Sequence, residues 1–389
     1  MRLRWALLLL GVMGCGSEAI VSQSPAVQVV PGPGLPAEIV PQIANNNLDV
    51  VRHDGRIYFA FRSAPTHFAS VDAVLWVVSS TDEQTWRFEA RFELDRDLRE
   101  PRFLSWNGKL FLYFAVLGES VFDFEPKEMR VSERLADGSW TPSEPFYQPG
   151  FIPWRTRVVG GTPYLVTYVG GENIYDVDGQ PLEIHFLTTQ DGRNWVPVVP
   201  GQPAVLTGGG SETDFAILDD GSLVAIVRNE AGDASGWGSK ICRAPASALG
   251  TWTCVHDPRK FDSPLVFRHG PDVFLIARRN LTETGNYDLG MRDLTPQQQT
   301  NKYLADYSSR PKRCAIWKVD PESSSVSFVA DLPSRGDTCF PGVIEGDSPD
   351  EVFLYNYSSD PFGENDPAWL AGQLGPTQIY RQVLRFPTP

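Results

Sequence analysis

Short apolar runs alternate with turn signals along most of the chain. Asp54-Gly55 precedes an apolar run at 57–61, and Asn107-Gly108 precedes another at 110–114. The same arrangement recurs at four further glycines: Gly161, Gly221, Gly270 and Gly346. Asp-Gly and Asn-Gly pairs favour tight β-hairpins because glycine accepts a positive φ. The pattern therefore predicts six repeats of a buried hairpin.

The spacing of the turns indicates the fold class. The six turn glycines are 53, 53, 60, 49 and 76 residues apart. Repeats of about 40 to 50 residues are typical of propeller blades. We therefore expect an all-β fold, a six-bladed β-propeller of four-stranded antiparallel blades over residues 41–389. A non-repeating β-sandwich remains the alternative.

The fourth hairpin carries charges only at its ends. Glu212 and Asp214 enter its first strand, and Arg228 leaves its second. The run 223–227 between them is apolar on both faces, which predicts a strand buried between layers. We therefore expect these charged side chains to face a cleft.

The N-terminus is typical of an export signal. Residues 1–14 combine two arginines with a short apolar run, and Val12-Met13-Gly14-Cys15 resembles the lipobox of bacterial lipoproteins. The resemblance implies lipidation of Cys15 and an exported envelope lipoprotein, expected at the outer membrane; an ordinary signal peptide is the alternative. Residues 15–40 are rich in Ser, Pro, Gly and Val, which predicts a flexible tether.

Composition excludes several classes of partner. The formal net charge of −14 argues against nucleic acid, whose phosphates need a basic surface. Metal-ligand spacings, phosphate-binding loops and dinucleotide fingerprints are absent from the sequence, so we expect neither a metal nor a cofactor. The expected state is a monomer whose contact with a membrane is the N-terminal anchor.

The cysteine count fits an exported protein. Four cysteines remain beside Cys15, and four cysteines allow three connectivities. Local pairing is the arrangement we expect, Cys242 with Cys254 and Cys314 with Cys339.

The outer turns resemble the Asp-box, or BNR repeat, of the sialidase superfamily. The stretches are Ser80–Trp86, Thr189–Trp195 and a degenerate version at Ala136–Trp140. In such a box the Asp caps turn N–H groups and the Trp packs between strands. The resemblance identifies blades and implies no chemistry directly.

The fourth hairpin resembles a sialidase site more closely. Glu212, Asp220-Gly221 and Arg228 match the order of a sialidase Glu, hairpin and Arg. By resemblance, Glu212 polarises a tyrosine nucleophile, for which Tyr355 is the candidate, and Arg228 holds a substrate carboxylate. The general acid falls in the loop 63–73, where Asp72 and His67 are the titratable candidates.

The start of the first blade departs from that family. Sialidases begin the first blade with an arginine, whereas this chain has Asn45-Asn46-Asn47 there. A planar carboxylate is gripped best by forked guanidinium groups, so the missing arginine puts sialic acid in doubt. We keep Asn47 as a candidate substrate-binding residue.

A second resemblance concerns the second blade. Glu100-Pro101-Arg102 is similar to the blade openings of five-bladed glycoside hydrolases and phosphorylases, which place carboxylates around a central funnel. Acids begin several units, and arginines converge near them. The further substrate-binding candidates are Glu100, Asp214, Arg102, Arg157 and Arg279.

The sequence thus predicts a carbohydrate-active propeller. A sialidase-like glycoside hydrolase acting on acidic or complex glycans is the main hypothesis. The alternative is a glycan-binding surface lipoprotein without catalysis, and a structural or protein-binding propeller is a third.

Overall fold

The computed structural model describes residues 21–119, 125–169 and 181–387. Within these ranges the chain forms six antiparallel sheets whose first strands contact one another in succession around a central channel. The predicted six-bladed β-propeller is therefore confirmed. The expected lipidation residue Cys15 and the signal segment 1–14 lie outside the described residues.

The first half of the chain supplies the closing strands and three blades. The closing strands are β1 (Ser22–Gln23) and β2 (Val27–Val30). Blade 1 contains β3 (Ala44–His53), β4 (Arg56–Ala64), β5 (Val74–Ser80) and β6 (Arg87–Phe92). Blade 2 contains β7 (Leu98–Trp106), β8 (Lys109–Val116), β9 (Glu128–Arg134) and β10 (Glu144–Phe146). Blade 3 contains β11 (Phe151–Val159), β12 (Thr162–Val169), β13 (Leu182–Thr189), β14 (Trp195–Pro197) and β15 (Ala204–Gly208).

The second half supplies three more blades. Blade 4 contains β16 (Thr213–Ile217), β17 (Leu223–Asp233), β18 (Gly236–Ala244) and β19 (Thr253–Asp257), with a 3₁₀ turn at Ala246–Ala248. Blade 5 contains β20 (Asp262–His269), β21 (Asp272–Asn280), β22 (Lys312–Asp320) and β23 (Ser325–Leu332). Blade 6 contains β24 (Gly342–Glu345), β25 (Glu351–Ser358) and β26 (Gln378–Arg385). Helix α1 (Pro296–Ser308) interrupts blade 5, and α2 (Trp369–Gln373) interrupts blade 6.

The N-terminal strands complete blade 6. β1 and β2 both pair antiparallel with β26, so residues from both ends of the chain close the ring. Val21, Val29 and Val30 are buried there. The expected flexible tether over 15–40 is therefore wrong for β1 and β2, because apolar side chains and a free strand edge outweigh a composition rich in Pro and Gly.

The channel has two distinct ends. The end where β3, β7, β11, β16, β20 and β24 begin is called the mouth below. The opposite end, where each of these strands turns into its neighbour, is called the far face. The turns there have the backbone that the sequence predicts: φ is +46° and +72° at Asp54 and Gly55, and +51° and +71° at Asn107 and Gly108.

The outer turns that contain Trp are capped by their own aspartates. Asp82 accepts hydrogen bonds from the backbone N–H groups of Gln84 and Thr85, and Asp191 accepts them from Arg193 and Asn194. The tryptophans that end these turns, Trp86 and Trp195, are buried in the core between blades. These turns therefore stabilise the blades.

The two helices lie side by side at the mouth. α1 begins where its sequence predicts: the Thr295 side chain accepts a hydrogen bond from the Gln298 N–H, the Gln298 side chain accepts one from the Thr295 N–H, and Pro296 follows the cap. Tyr307 of α1 packs against Trp369 of α2 with ring centroids 5.6 Å apart. Neither helix, nor any other in the described ranges, has the length and apolarity needed to cross a bilayer.

Both expected disulfides are present. Cys242–Cys254 joins two paired strands of blade 4, and Cys314–Cys339 joins blade 5 to the segment that enters blade 6. The local pairing inferred from the spacing is therefore confirmed.

Candidate functional site

The mouth is built by irregularities at the starts of the first strands. The pairing register shifts between Asn46 and Leu48 in blade 1, and between Arg99 and Arg102 in blade 2. Asn47 and Glu100 have positive φ values of 41° and 53° at these shifts. A bulge turns a side chain out of the regular alternation of a strand. It thereby brings Asn47 and Glu100 into contact across two blades.

Glu100 is a buried carboxyl with incomplete hydrogen bonding. Its Oε1 accepts a hydrogen bond of 3.3 Å from Asn47, and its Oε2 lies 3.8 Å from Arg102. Among the described residues, Oε2 has no hydrogen-bond donor. Burial raises the pKa of Glu100 to about 7, opposed by Arg102 and reinforced by the charge of Glu212. Glu100 is therefore able to hold a proton near neutral pH.

Glu212 faces the same region from blade 4. Its Oε1 is 2.9 Å from the Arg228 guanidinium, and its Oε2 accepts a 2.7 Å hydrogen bond from the Ser263 N–H. Burial raises the pKa of Glu212, opposed by Arg228. The expected closeness of Glu212 and Arg228 is thus present, although the arginine is already paired with this carboxylate.

Asp262 holds two arginines together at the start of blade 5. Its carboxylate lies 2.8 Å from Arg278 and 3.8 Å from Arg228, and it accepts a 2.8 Å hydrogen bond from the Tyr307 hydroxyl. Lys260 lies 3.4 Å away. Burial favours the neutral acid, but these cations lower the pKa of Asp262 to about 2. An internal carboxylate thus occupies the space between the two guanidinium groups.

Asp337 connects blade 6 to the loop of blade 1. It lies 2.6 Å from His67, accepts a 2.9 Å hydrogen bond from the Tyr357 hydroxyl and a 3.1 Å one from the Trp369 indole. Burial favours its neutral form, but His67 and Arg278 lower the pKa of Asp337. Trp369 is half-buried, and its ring also lies 4.8 Å from the Arg278 guanidinium carbon.

A layer of ion pairs lies deeper in the channel. Arg155 and Arg157 both contact Asp214 at 3.0 and 2.7 Å, and Arg155 reaches Asp49 at 3.6 Å. Arg102 is fully buried, with its guanidinium carbon 4.9 Å from the Trp154 ring centroid. These side chains join blades 1, 2, 3 and 4. Asp214 and Arg157, expected to contact substrate, therefore lie in a structural layer below the mouth.

Three expected site residues lie away from the mouth. The Tyr355 hydroxyl hydrogen-bonds Glu83, which also pairs with Arg381, so the expected Glu212–Tyr355 pair does not form. Asp72 is exposed, and the same loop directs His67 to Asp337 instead. Arg279 pairs with Asp331, the partner of Ala315 in the outer strand pair of blade 5.

Several residues at the mouth were not selected from the sequence. Tyr357, Tyr307 and Trp369 contact Asp337 or Asp262 through insertions and strand ends. The sequence feature that could have indicated these contacts is the presence of an acid, Asp262 or Asp337, near the start of blades 5 and 6. The described residues contain no group of three or more potential metal ligands.

Comparisons with known proteins support the fold. No protein-family model matches the chain, and no curated protein matches it. A protein of unknown function from Dyadobacter fermentans superimposes with a TM-score of 0.62 at 15% identity, covering 94% of this chain and 99% of that one. The phage phi92 endosialidase gives 0.60 at 13% identity over 90% of this chain and 69% of its own.

A Trypanosoma rangeli sialidase in complex with the inhibitor DANA gives a TM-score of 0.56 at 13% identity, over 88% of this chain and 55% of that one. The chain thus spans about half the length of that sialidase. At these identities the likeness shows the fold alone. The protein is a six-bladed β-propeller with a sialidase-like fold.

Proposed function

We propose that this protein binds a glycan at the mouth and cleaves a glycosidic bond with Glu100 and Glu212. The observation that carries the proposal is the pair itself: Glu100 has a pKa of about 7 that the charge of Glu212 helps to raise. Glycosidic cleavage needs one carboxylic acid and one carboxylate. The two acids have different surroundings, since Glu212 is paired with Arg228 whereas one oxygen of Glu100 has no hydrogen-bond donor among the described residues.

The contacts support a different role for each acid. Glu100 has an oxygen without a hydrogen-bond donor and holds a proton near neutral pH, so it donates a proton to the leaving oxygen. Burial raises the pKa of Glu212, and Arg228 and the Ser263 N–H oppose this by stabilising its charge. Glu212 serves as the carboxylate that acts as base or nucleophile. Tyr355 has no part in this mechanism, since it lies with Glu83.

The arginines favour an uncharged sugar over a carboxylated one. Arg228 and Arg278 already hold Glu212 and Asp262. A substrate carboxylate would have to displace an internal one, and breaking a buried ion pair costs roughly 3–5 kcal/mol. We therefore narrow the expected acidic or complex glycans to neutral sugars, with the half-buried Trp369 as a stacking surface.

Glycan binding without cleavage is the second candidate function. It is favoured by the ion pairs that occupy Glu212 and Arg228 and by the separation of Tyr355 from Glu212. Export through the segment 1–14 and lipidation at Cys15 complete the proposal. The two disulfides support an oxidising compartment.

The test is a panel of neutral, uronic-acid and sialylated glycans incubated with the whole chain in detergent. Released sugars are followed by mass spectrometry for the wild type, Glu100→Gln and Glu212→Gln. Glu345→Gln is the matched control, because Glu345 is exposed at the far end of β24. We expect release of a neutral sugar that falls at least about 100-fold in both site variants. Saturable binding without release would contradict cleavage and support the second candidate.

A further inference from the structure

A second cluster of reactive side chains, a serine, a histidine and an aspartate, lies at the far face, away from the mouth. His53 ends the first strand of blade 1, and Ser105 lies near the end of the first strand of blade 2. The Nδ1 atom of His53 is 2.9 Å from the Ser105 hydroxyl oxygen. The Nε2 atom of the same ring is 3.3 Å from an Asp54 carboxylate oxygen. The three groups therefore form a continuous Ser–His–Asp chain.

The side chains of Ser105, His53 and Asp54 line a cleft. A cavity of about 310 Å³ lies between the hairpin turns of blades 1 and 2, and His53, Asp54 and Ser105 line it. Ser105 is partly exposed, whereas the His53 ring is largely buried. Clefts of about 300 Å³ are at the small end of small-molecule sites. The hydroxyl is thus accessible to a small molecule while the base is held in place.

The turn after Ser105 contributes two backbone N–H groups to the residues that line the same cleft. Asn107 and Gly108 also line it, and both have positive φ in the tight turn that follows Ser105. Their backbone N–H groups donate to no other backbone group among the described residues. Backbone N–H groups that face a reacting carbonyl stabilise a tetrahedral intermediate.

We propose that Ser105, His53 and Asp54 form a serine hydrolase site for esters with a small acyl group. The Ser105 oxygen attacks the ester carbonyl carbon while its proton passes to His53 Nδ1. The intermediate collapses, the carbon–alkoxide bond breaks, and the alkoxide leaves with that proton. Water then attacks the acyl-serine and gives one proton to His53, which returns it to the Ser105 oxygen as the carboxylic acid departs.

The surroundings of His53 favour its role as a base. Burial lowers the pKa of His53, with Arg134 adding to the decrease and Asp54 opposing it. The ring also lies edge-on to Tyr58, with centroids 5.9 Å apart. The imidazole is therefore neutral at pH 7 and able to accept a proton. Because the pKa of His53 is lowered, acylation should persist at the ordinary histidine value of about 6.5 and fall only at lower pH.

The test is covalent labelling of the whole chain by a fluorophosphonate, with peptide mass spectrometry to locate the adduct, and hydrolysis of p-nitrophenyl acetate in parallel. We expect an adduct on Ser105 that is absent in Ser105→Ala and formed at least about 100-fold more slowly in His53→Gln. Ser222→Ala is the matched control, because Ser222 is a hairpin serine whose partner is Asp220 and not a histidine.

The outcomes separate this proposal from the first one. Glycan release should be unchanged in Ser105→Ala, since the two sites lie at opposite ends of the channel. A thermal melt of each variant excludes misfolding as the cause of lost labelling. Absence of an adduct on Ser105 in the folded wild type, or labelling that His53→Gln leaves unchanged, would overturn the hydrolase site.

Discussion

Tyr355 and Tyr357 are two residues apart on β25, yet they have different environments. Tyr355 contacts Glu83 in an outer turn of blade 1, whereas Tyr357 donates to Asp337 at the mouth. Alternation along a strand gives both side chains the same face. It does not say which one reaches the end of the channel, because that depends on where the strand ends relative to the neighbouring blades. The sequence therefore indicated a tyrosine in the last blade but selected the wrong partner for Glu212.

For Glu100 too, the sequence predicted the residue but not its environment, which depends on a β-bulge. The motif Glu100-Pro101-Arg102 indicated a blade opening with an acid. The positive φ of Glu100 and its contact with Asn47 follow from the register shift, which a period-two pattern does not predict. The identity of the acid was therefore predictable, and its raised pKa was not.

A pH titration tests the buried Glu100 carboxyl. Its pKa is raised from 4.5 to about 7 by burial, so the folded state keeps a proton that the unfolded state loses. Stability should therefore fall between about pH 4.5 and pH 7 and level off above that, by about 3 kcal/mol at most for this group. Thermal unfolding should show this decline in the wild type and a flatter profile in Glu100→Gln. Parallel profiles would contradict the raised pKa.

Helix α1 was the element that the sequence predicted most completely at its start. Thr295 and Pro296 gave the cap, and the capping box confirms it. Its contacts were not predictable, because the side chains that hold it belong to blade 5. Lys312, for example, lies 3.8 Å from the Tyr307 ring centroid, and burial lowers its pKa to about 6. With this lowered pKa, the Lys312 amine is largely uncharged at neutral pH and packs against the Tyr307 ring without placing a charge there.

The Tyr307 hydroxyl is the contact that joins α1 to the mouth. Its hydrogen bond goes to the charged Asp262, so Tyr307→Phe should cost about 1.5–3 kcal/mol of stability. Hydrogen exchange should show faster exchange in 296–308 than in the wild type. Tyr380→Phe is a suitable control, because that hydroxyl contacts Gln378 outside the mouth. Equal protection of α1 in both variants would mean that this bond does not hold the helix.

The ring of blades is closed by β1 and β2 pairing with β26, which the composition of the N-terminal segment did not predict. Six turn signals were enough to predict six blades, since each hairpin is local in sequence. The pairing of β1 and β2 with β26 spans nearly the entire chain, and no local pattern reports it. The Pro- and Gly-rich composition of 15–40 therefore looked like a linker, although β1 and β2 within it pair with β26.

Removal of residues 1–30 tests the closure. The truncation exposes the edge of β26 and the apolar surface that Val21, Val29 and Val30 cover. Burial of such side chains contributes about 1.5 kcal/mol or more each, so we expect a loss of several kcal/mol and a tendency to aggregate. Chemical denaturation and light scattering measure both effects, and removal of residues 1–20 is the control. A truncated chain as stable as the control would contradict the closure.

The position of β1 also determines on which side of the propeller the N-terminal segment lies. Ser22 pairs with Arg385, where β26 ends at the far face, so the chain enters the ring on the side opposite the mouth. If Cys15 carries the lipid, only five residues separate it from Val21, a reach of about 20 Å even when fully extended. The far face would then stand close to the bilayer and the mouth would open toward the medium. The proposed Ser105 site would then face the membrane surface, and the proposed glycan site at the mouth would face the surrounding medium.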